Sequence, residues 1–318
     1  MNDVVLAIYS DRLFMAAVGV YVLAMALHAA EYAALRSAYE PAAVPVAVGV
    51  AASPEGETGA PPDTPVPGRP VRSRADRFGG AAANLVVLAA LLQLGSIVTR
   101  GLAADRWPLG NMYEFTSAVC LAAVVTWLVV LRRVPALRVV ALFVLLPVVI
   151  LLFLAGTVLY ARAAPVVPAL RSYWLVVHVT TITVSSGLLL VPGIASLLYL
   201  LRRSASGGAL VDRLPSAAAL DRLAYRTTIV AFPLYTFGVI AGAIWAEAAW
   251  GRFWGWDPKE TVAFVAWVVY AAYLHARATA GWRSGRAAWI NVAGLAVVLF
   301  NLFFINMVVA GLHSYAGL

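Results

Sequence analysis

Eight apolar runs dominate this sequence and constrain its fold more than any other feature. Each is about 20 residues long, the length that an α-helix needs to cross the roughly 30 Å hydrocarbon core of a bilayer. No alternation typical of β-strands competes with them, and a bilayer admits only helices or closed barrels. The sequence therefore predicts an all-α, polytopic transmembrane bundle of about eight helices. The runs occupy residues 13–35, 80–98, 113–131, 139–160, 174–201, 227–245, 261–280 and 288–310.

The distribution of positive charge predicts the orientation of this bundle. A net charge of +8 would suggest nucleic-acid binding in a soluble chain, but 63% of these residues are hydrophobic and the arginines cluster between apolar runs. With the amino terminus outside, the inner loops hold 16 of the 23 basic residues. By the positive-inside rule we expect both termini on the extracytoplasmic side of a plasma (inner) membrane, and no nucleic-acid partner.

Composition also predicts how the chain is divided. Residues 1–36 contain the first apolar run, and the amino terminus lacks the basic region of a secretory signal, so we expect a retained transmembrane helix. Residues 37–79 are rich in proline, glycine and alanine, which predicts a disordered cytoplasmic linker. Residues 80–318 then form a seven-helix domain. Cys120 is the only cysteine of the sequence, which excludes an internal disulfide.

The segment WGRFWGWDPKE, residues 250–260, is the most unusual stretch between the apolar runs. Asp257, Pro258 and Glu260 have the spacing of a helix N-cap with a capping box, and this predicts only that the seventh helix begins there. The tryptophans predict a flat apolar surface that suits a large planar ligand. Arg252 and Lys259 suit anionic groups at the edge of that ligand. Haem is a large planar macrocycle with carboxylate groups at its edge, so it suits both features. The surface comprises Trp245, Trp250, Trp254 and Trp256.

Four histidines are candidate haem ligands, because a neutral imidazole can bind iron axially. His178 near the outer end of the fifth helix and His313 after the eighth helix are predicted on the same side as the tryptophan segment. His275 lies about 27 Å along the seventh helix, towards the inner side. His28 lies about 12 Å from the inner end of the first helix. For each of them, a histidine at the membrane interface or in the bundle remains the alternative.

WGRFWGWDPKET closely resembles the tryptophan-rich WWD signature of the haem-handling superfamily that contains CcsA (also called ResC), CcmF and CcmC. Four further segments are similar to CcsA-type sequences, so the resemblance covers most of the chain from about residue 80. The predicted linker has no counterpart. The four segments are PLGNMYEF (108–115), SYWLVVHV (172–179), YLHAR (273–277) and GLHSY (311–315).

The resemblance implies a role in cytochrome c maturation, as part of a holocytochrome c synthase (haem lyase) complex with a ResB-type subunit. Haem b would cross the membrane and be presented outside for attachment to the CxxCH thiols of apocytochrome c. His178 and His313 would be the outer axial ligands and His275 a transmembrane ligand. The ligand opposite His275 is either His28 or a histidine of the ResB-type subunit.

Two further residues and several alternative functions stay open. Asn111 and Glu114, where an outer loop enters the third helix, would cap that helix or orient the haem site. The chain has no Ser-His-Asp pattern and no nucleotide loop, so no catalytic side chain is predicted. A haem exporter or a CcmC-like delivery subunit is the main alternative. A b-type electron-transfer cytochrome would need two histidines on one helix, and a solute transporter would show internal repeats.

Overall fold

The computed structural model describes residues 2–35, 73–165, 172–204, 211–279, 282 and 285–313. Within these ranges the chain is helical with no strand, and eight helices are long and apolar enough to cross a membrane. The predicted all-α transmembrane bundle is confirmed. The helices are α1 (Asn2–Ala34), α2 (Arg74–Ala104), α3 (Met112–Arg133), α4 (Ala141–Thr157), α5 (Tyr173–Arg203), α6 (Ala217–Trp250), α7 (Pro258–Ala278) and α8 (Gly285–Phe300).

Short irregular turns adjoin two of these helices. A 3-10 helix, Pro135–Val140, leads into α4. The last span continues beyond α8 through a π-helical turn, Asn301–Ile305, and a final α-helical turn, Asn306–Val308. A π-turn shifts the register of the side chains that follow it, and such turns are frequent at functional sites.

Helix starts follow the capping residues of the sequence. The Asn111 side chain accepts a hydrogen bond from the Glu114 N–H (2.9 Å) and begins α3. Asp257 begins α7 with the complete capping box, in which the Glu260 carboxylate accepts from the Asp257 N–H (3.1 Å). The predicted start of the seventh helix is therefore confirmed.

The start of α2 differs from the predicted linker boundary. The linker expected at residues 37–79 lies outside the described residues as far as residue 72, but α2 already begins at Arg74. The Ser73 hydroxyl caps this helix by accepting from the Asp76 N–H (3.1 Å). The apolar run predicts only the lipid-crossing part, whereas backbone hydrogen bonds extend the helix into the polar interface.

The packing of the helices brings three helix ends and the chain after α8 together at one end of the bundle. α1 packs mainly on α2, and α5 packs on α6, α3 and α8. α5 is the most buried of the eight spans and α7 the least. The carboxyl end of α6, the amino end of α7, the start of α5 and the chain after α8 consequently meet, and this is the end that carries the tryptophan segment.

A buried ion-pair cluster fixes the loop between α2 and α3 at this same end. The Glu114 carboxylate accepts hydrogen bonds from Arg100 (2.9 Å), from Arg106 (2.7 Å) and from the Gly110 N–H (2.8 Å). Arg100 also donates to the Ala161 carbonyl. A buried carboxylate in an apolar environment is stable only with such partners, so Glu114 holds this loop in place.

Replacing Glu114 tests this role. Glu114→Gln removes the carboxylate that pairs with both Arg100 and Arg106 and leaves Arg100 with the longer contact to Asp11 (3.5 Å), so we expect the free energy of unfolding to fall by about 3–5 kcal/mol. Thermal unfolding of the purified protein in detergent measures the change. The matched control is Asp212→Asn, since Asp212 pairs with Arg202 at 3.3 Å but its side chain is 79% exposed. Equal stability of the two variants would contradict a clamping role for Glu114.

Candidate functional site

His178 and His313 line the same space, although they come from distant parts of the chain. Two adjoining open cavities of about 740 and 640 Å³ both include these histidines in their walls. Lys259 and Phe115 also line both cavities. The structure thus brings together the two histidines that the sequence predicts on one side and a cation of the tryptophan segment.

Trp245 connects the two imidazoles. Its ring centroid lies 6.1 Å from that of His178, with the planes 9° apart, and 5.9 Å from that of His313. Trp250 lies 5.1 Å from His313 and 4.7 Å from Trp245. Trp245 is only 1% exposed. One buried indole therefore contacts both candidate ligands and fixes their spacing through ring packing.

The tryptophans do not form the single flat surface that the sequence predicts. Trp245 and Trp250 meet at 65°, and Trp254 and Trp256 meet at 89°. Trp250 and Trp254 line the larger cavity and Trp245 the smaller one, whereas Trp256 is 65% exposed. Edge-to-face contacts are the favoured geometry of aromatic pairs. Trp256 has a left-handed φ of 58°, and its ring packs edge-on against Trp254 and Phe264.

His178 is held by the backbone of α6. Its Nδ1 lies 2.8 Å from the Gly238 carbonyl oxygen. A carbonyl only accepts, so Nδ1 carries the proton and donates, and the lone pair is on Nε2. This is the tautomer in which a histidine binds metal through Nε2 while its other nitrogen is fixed by a hydrogen bond.

His313 is held by the residue that caps α7. Its Nδ1 donates to the Asp257 carboxylate (2.8 Å), and the Leu312 N–H donates to the other oxygen of Asp257 (2.7 Å). Burial opposes the charge of Asp257, but the Leu312 and His313 hydrogen bonds outweigh it and hold the carboxyl pKa below its usual range. Burial and the positive charge of Lys259 lower the pKa of His313. At neutral pH His313 is thus a neutral imidazole beside a carboxylate.

The two cations of the tryptophan segment have different surroundings. Lys259 lines both cavities, and its ammonium group donates to the Asn306 side chain. Asn301 donates to the Lys259 carbonyl (3.3 Å), so residues at both ends of the π-turn hold this lysine. Arg252 instead lies over Trp250 (5.8 Å) and reaches Glu260 (3.4 Å), outside the walls of the two cavities. Of the two predicted anion-binding groups, only Lys259 faces the cavities.

The two predicted residues at the start of α3, Asn111 and Glu114, also have different surroundings. Asn111 lines the smaller cavity while it caps α3. Glu114 is absent from the walls of both described cavities, and its oxygens bond to the Arg100 and Arg106 side chains and to Gly110. Glu114 therefore stabilises the loop between α2 and α3 and does not line either described cavity.

The remaining two histidines lie elsewhere. His275 is exposed on α7, near the end opposite the Asp257 cap. His28 is buried on α1, where Nδ1 lies 2.9 Å from Glu31, and Glu31 also pairs with Arg138. The main neighbours of α1 are α2 and α4, whereas those of α7 are α8 and α6. The pairing of His28 with His275 stays a prediction.

Gly238 and Gly242 were not predicted as part of the site. They lie four residues apart in α6, so both face α5. A Cβ on Gly242 would be 2.6 Å from the His178 ring, and a Cβ on Gly238 would be 2.7 Å from Ile182. Two glycines at this spacing in an apolar helix typically mark close helix packing, and that pattern is visible in the sequence.

Known proteins with similar sequences and folds identify the family. Residues 109–313 match the family model described as Cytochrome C assembly protein. The chain is 38% identical over 263 residues to the cytochrome c biogenesis protein CcsA of Parasynechococcus marenigrum (strain WH8102), which covers 74% of this chain and 86% of that protein. It is 39% identical over 258 residues to CcsA of Synechococcus sp. (strain RCC307), covering 73% and 83%.

A solved structure supports the fold. The cytochrome c haem lyase CcmF superposes with a TM-score of 0.63 at 18% identity, over 94% of this chain and 46% of CcmF. The chain thus spans less than half the length of CcmF, and the likeness concerns the fold alone. The sequence matches to the family model and to the CcsA proteins decide the assignment and confirm the resemblance found in the WWD segment. This chain belongs to the cytochrome c assembly protein family.

Proposed function

We propose that this chain carries haem b across the membrane and presents it at an extracytoplasmic site for attachment to the CxxCH thiols of apocytochrome c. It would do so with a ResB-type subunit, as part of a holocytochrome c synthase. The observation that carries the proposal is that His178 and His313 line the same cavities beside Trp250 and Lys259. Membership of the cytochrome c assembly family supports it.

The residues of the cavities fit the parts of a haem. Both imidazoles have Nδ1 engaged with an acceptor, which gives Nε2 the lone pair that binds iron. Trp250 and Trp254 offer apolar ring surfaces to a macrocycle. Lys259 offers one positive charge to a propionate carboxylate. An iron porphyrin needs these three kinds of contact.

The substrates supply all the reacting atoms. Each thioether forms when a cysteine S–H adds across a haem vinyl group, so that sulfur bonds to one vinyl carbon and hydrogen to the other. The reaction uses ferrous haem and reduced cysteines. The protein contributes position, by holding the haem so that its vinyl edge faces the incoming CxxCH segment.

We further propose how haem reaches this site. His275 takes up haem towards the inner side, and its exposure on α7 suits a second ligand supplied by a ResB-type subunit. His28, buried beside Glu31, is the alternative second ligand. In this account the protein lies in the plasma (inner) membrane, with both termini and the cavities extracytoplasmic and residues 80–318 as the haem-handling domain.

Histidine replacement tests the proposed ligands. We expect the purified protein to carry low-spin haem, because two imidazoles give a strong axial field. His178→Ala or His313→Ala should each convert the outer haem to a high-spin form that added imidazole restores. The variant with both His178→Ala and His313→Ala should lose the outer haem. Any haem that this variant still binds should depend on His275. Visible spectra of the purified variants measure this, and an unaltered spectrum when His178, His313 and His275 are all replaced excludes the assignment.

Tryptophan replacement tests the apolar part of the cavity. Trp250→Leu removes a ring that contacts His313, so we expect about a tenfold loss of haem affinity, the equivalent of about 1.4 kcal/mol. Haem content after purification and haem titration of the apoprotein measure it. The control is Trp289→Leu, at a side chain 62% exposed on α8, which should bind haem as the unaltered chain does. Equal losses would show that Trp250 has no specific contact with haem.

A further inference from the structure

The two candidate axial ligands are supported by unlike parts of the fold. His178 belongs to the second turn of α5, the most buried span, whereas His313 lies in the non-helical segment after the final helical turn. Both rings pack on Trp245. In addition, His178 is held by a backbone carbonyl of α6 within the packing of two helices, whereas His313 hydrogen-bonds to one side chain. The difference bears on which of them a substrate can replace.

The residues packed around the His178 ring leave little room for it to move. Its ring lies against Gly242, where a Cβ would be 2.6 Å from Cε1 and 2.7 Å from Nδ1. Nδ1 donates to the Gly238 carbonyl, and Trp245 stacks on the ring at 9°. α5 and α6 share one of the most extensive helix contacts of the described chain. The His178 ring can be displaced only if α5 and α6 move apart. This movement is costly because close packing is lost along both helices.

His313 is held differently. Two hydrogen bonds to Asp257, from the Leu312 N–H and from Nδ1, bind its segment to the start of α7. Gly311 approaches Asp257 so closely that a Cβ there would be 2.7 Å from the carboxylate. The His313 ring also meets Trp245 (5.9 Å) and Trp250 (5.1 Å) edge-on. Water can nevertheless replace the two hydrogen bonds without separating two helices along their length. The segment can therefore release His313 at far lower cost than α5 can release His178.

We infer that His178 is the permanent axial ligand and that His313 is the ligand exchanged for the histidine of the incoming CxxCH segment. Gly238 and Gly242 are positioning residues for His178, and Asp257 is the positioning residue for His313. This inference rests on the proposed function. In the exchange the bond between iron and Nε2 of His313 breaks, and a bond forms between iron and a nitrogen of the substrate histidine. His313 leaves neutral with its proton on Nδ1, and no electron is transferred.

A peptide with both CxxCH cysteines replaced by serine tests the inference, because it offers the histidine but forms no thioether. His178→Gly and His313→Gly, each in the full-length chain, are loaded with haem in the presence of imidazole, which is then removed. We expect the peptide to restore the low-spin spectrum of His313→Gly with at least tenfold higher affinity than that of His178→Gly. A peptide with alanine in place of histidine is the control. Equal affinities, or the reverse order, overturn the inference.

A second measurement leaves both histidines in place and serves also if a histidine variant retains no haem. Asp257→Asn removes one of the two acceptor oxygens that hold the His313 segment. We expect the serine peptide to replace an axial ligand at least tenfold faster than in the unaltered chain, followed by stopped-flow visible spectroscopy. Ser216→Ala, which removes the cap of α6 (Ala219 N–H to Ser216, 3.3 Å), controls for cap loss and should not change the rate.

An unchanged exchange rate in Asp257→Asn overturns the inference. The outcomes also separate the two proposals. If the unaltered chain binds no haem under any loading condition, the proposed function itself fails. If it binds low-spin haem but the peptide shows no preference between the histidines, only the exchange order fails.

Discussion

The site depends on the carboxylate of Asp257. One side chain begins α7 by capping its first turn and also binds the Leu312 N–H and the His313 imidazole. The start of one helix is thereby tied to the chain that follows the last span. This tie holds the His313 ring against Trp245 and Trp250, where it lines the cavities. Because Asp257 stays ionised and His313 neutral, the pair combines a strong hydrogen bond with an imidazole able to bind metal.

The frame around this pair relies on satisfied polar groups in an apolar setting. Glu114 binds two arginines beside the two cavities, and Glu31 on α1 joins His28 to Arg138 of the 3-10 helix before α4. In each case a buried carboxylate has its charge matched by a guanidinium, as burial in an apolar medium requires. The ion pairs of Glu114 fix the loop between α2 and α3 relative to these helices. Asn111 at the end of this loop lines the smaller cavity, so the same contacts stabilise part of the cavity wall.

Much of this arrangement could be predicted from the sequence. Helices and their starts follow from apolar length and from caps such as Asn111 and Asp257, because these signals are local. The common side of His178 and His313 follows from counting spans. The tilt of the tryptophan rings could not be predicted, because it depends on side-chain contacts such as those of Trp245 with His178 and His313 and of Trp256 with Phe264. The place of Glu114 among arginines and the pairing of Lys259 with Asn306 depend on tertiary packing in the same way.

The central claim is that one imidazole on α5 and one in the segment after the last span hold one iron. The most direct measurement is a cryo-EM structure of the haem-loaded, full-length protein at a resolution that separates the axial ligands. The account predicts a porphyrin beside Trp250, with its iron bonded to Nε2 of His178 on one face and to Nε2 of His313 on the other. Iron bonded to only one of these histidines in the resting protein, or a haem that lies outside the two cavities, would contradict it.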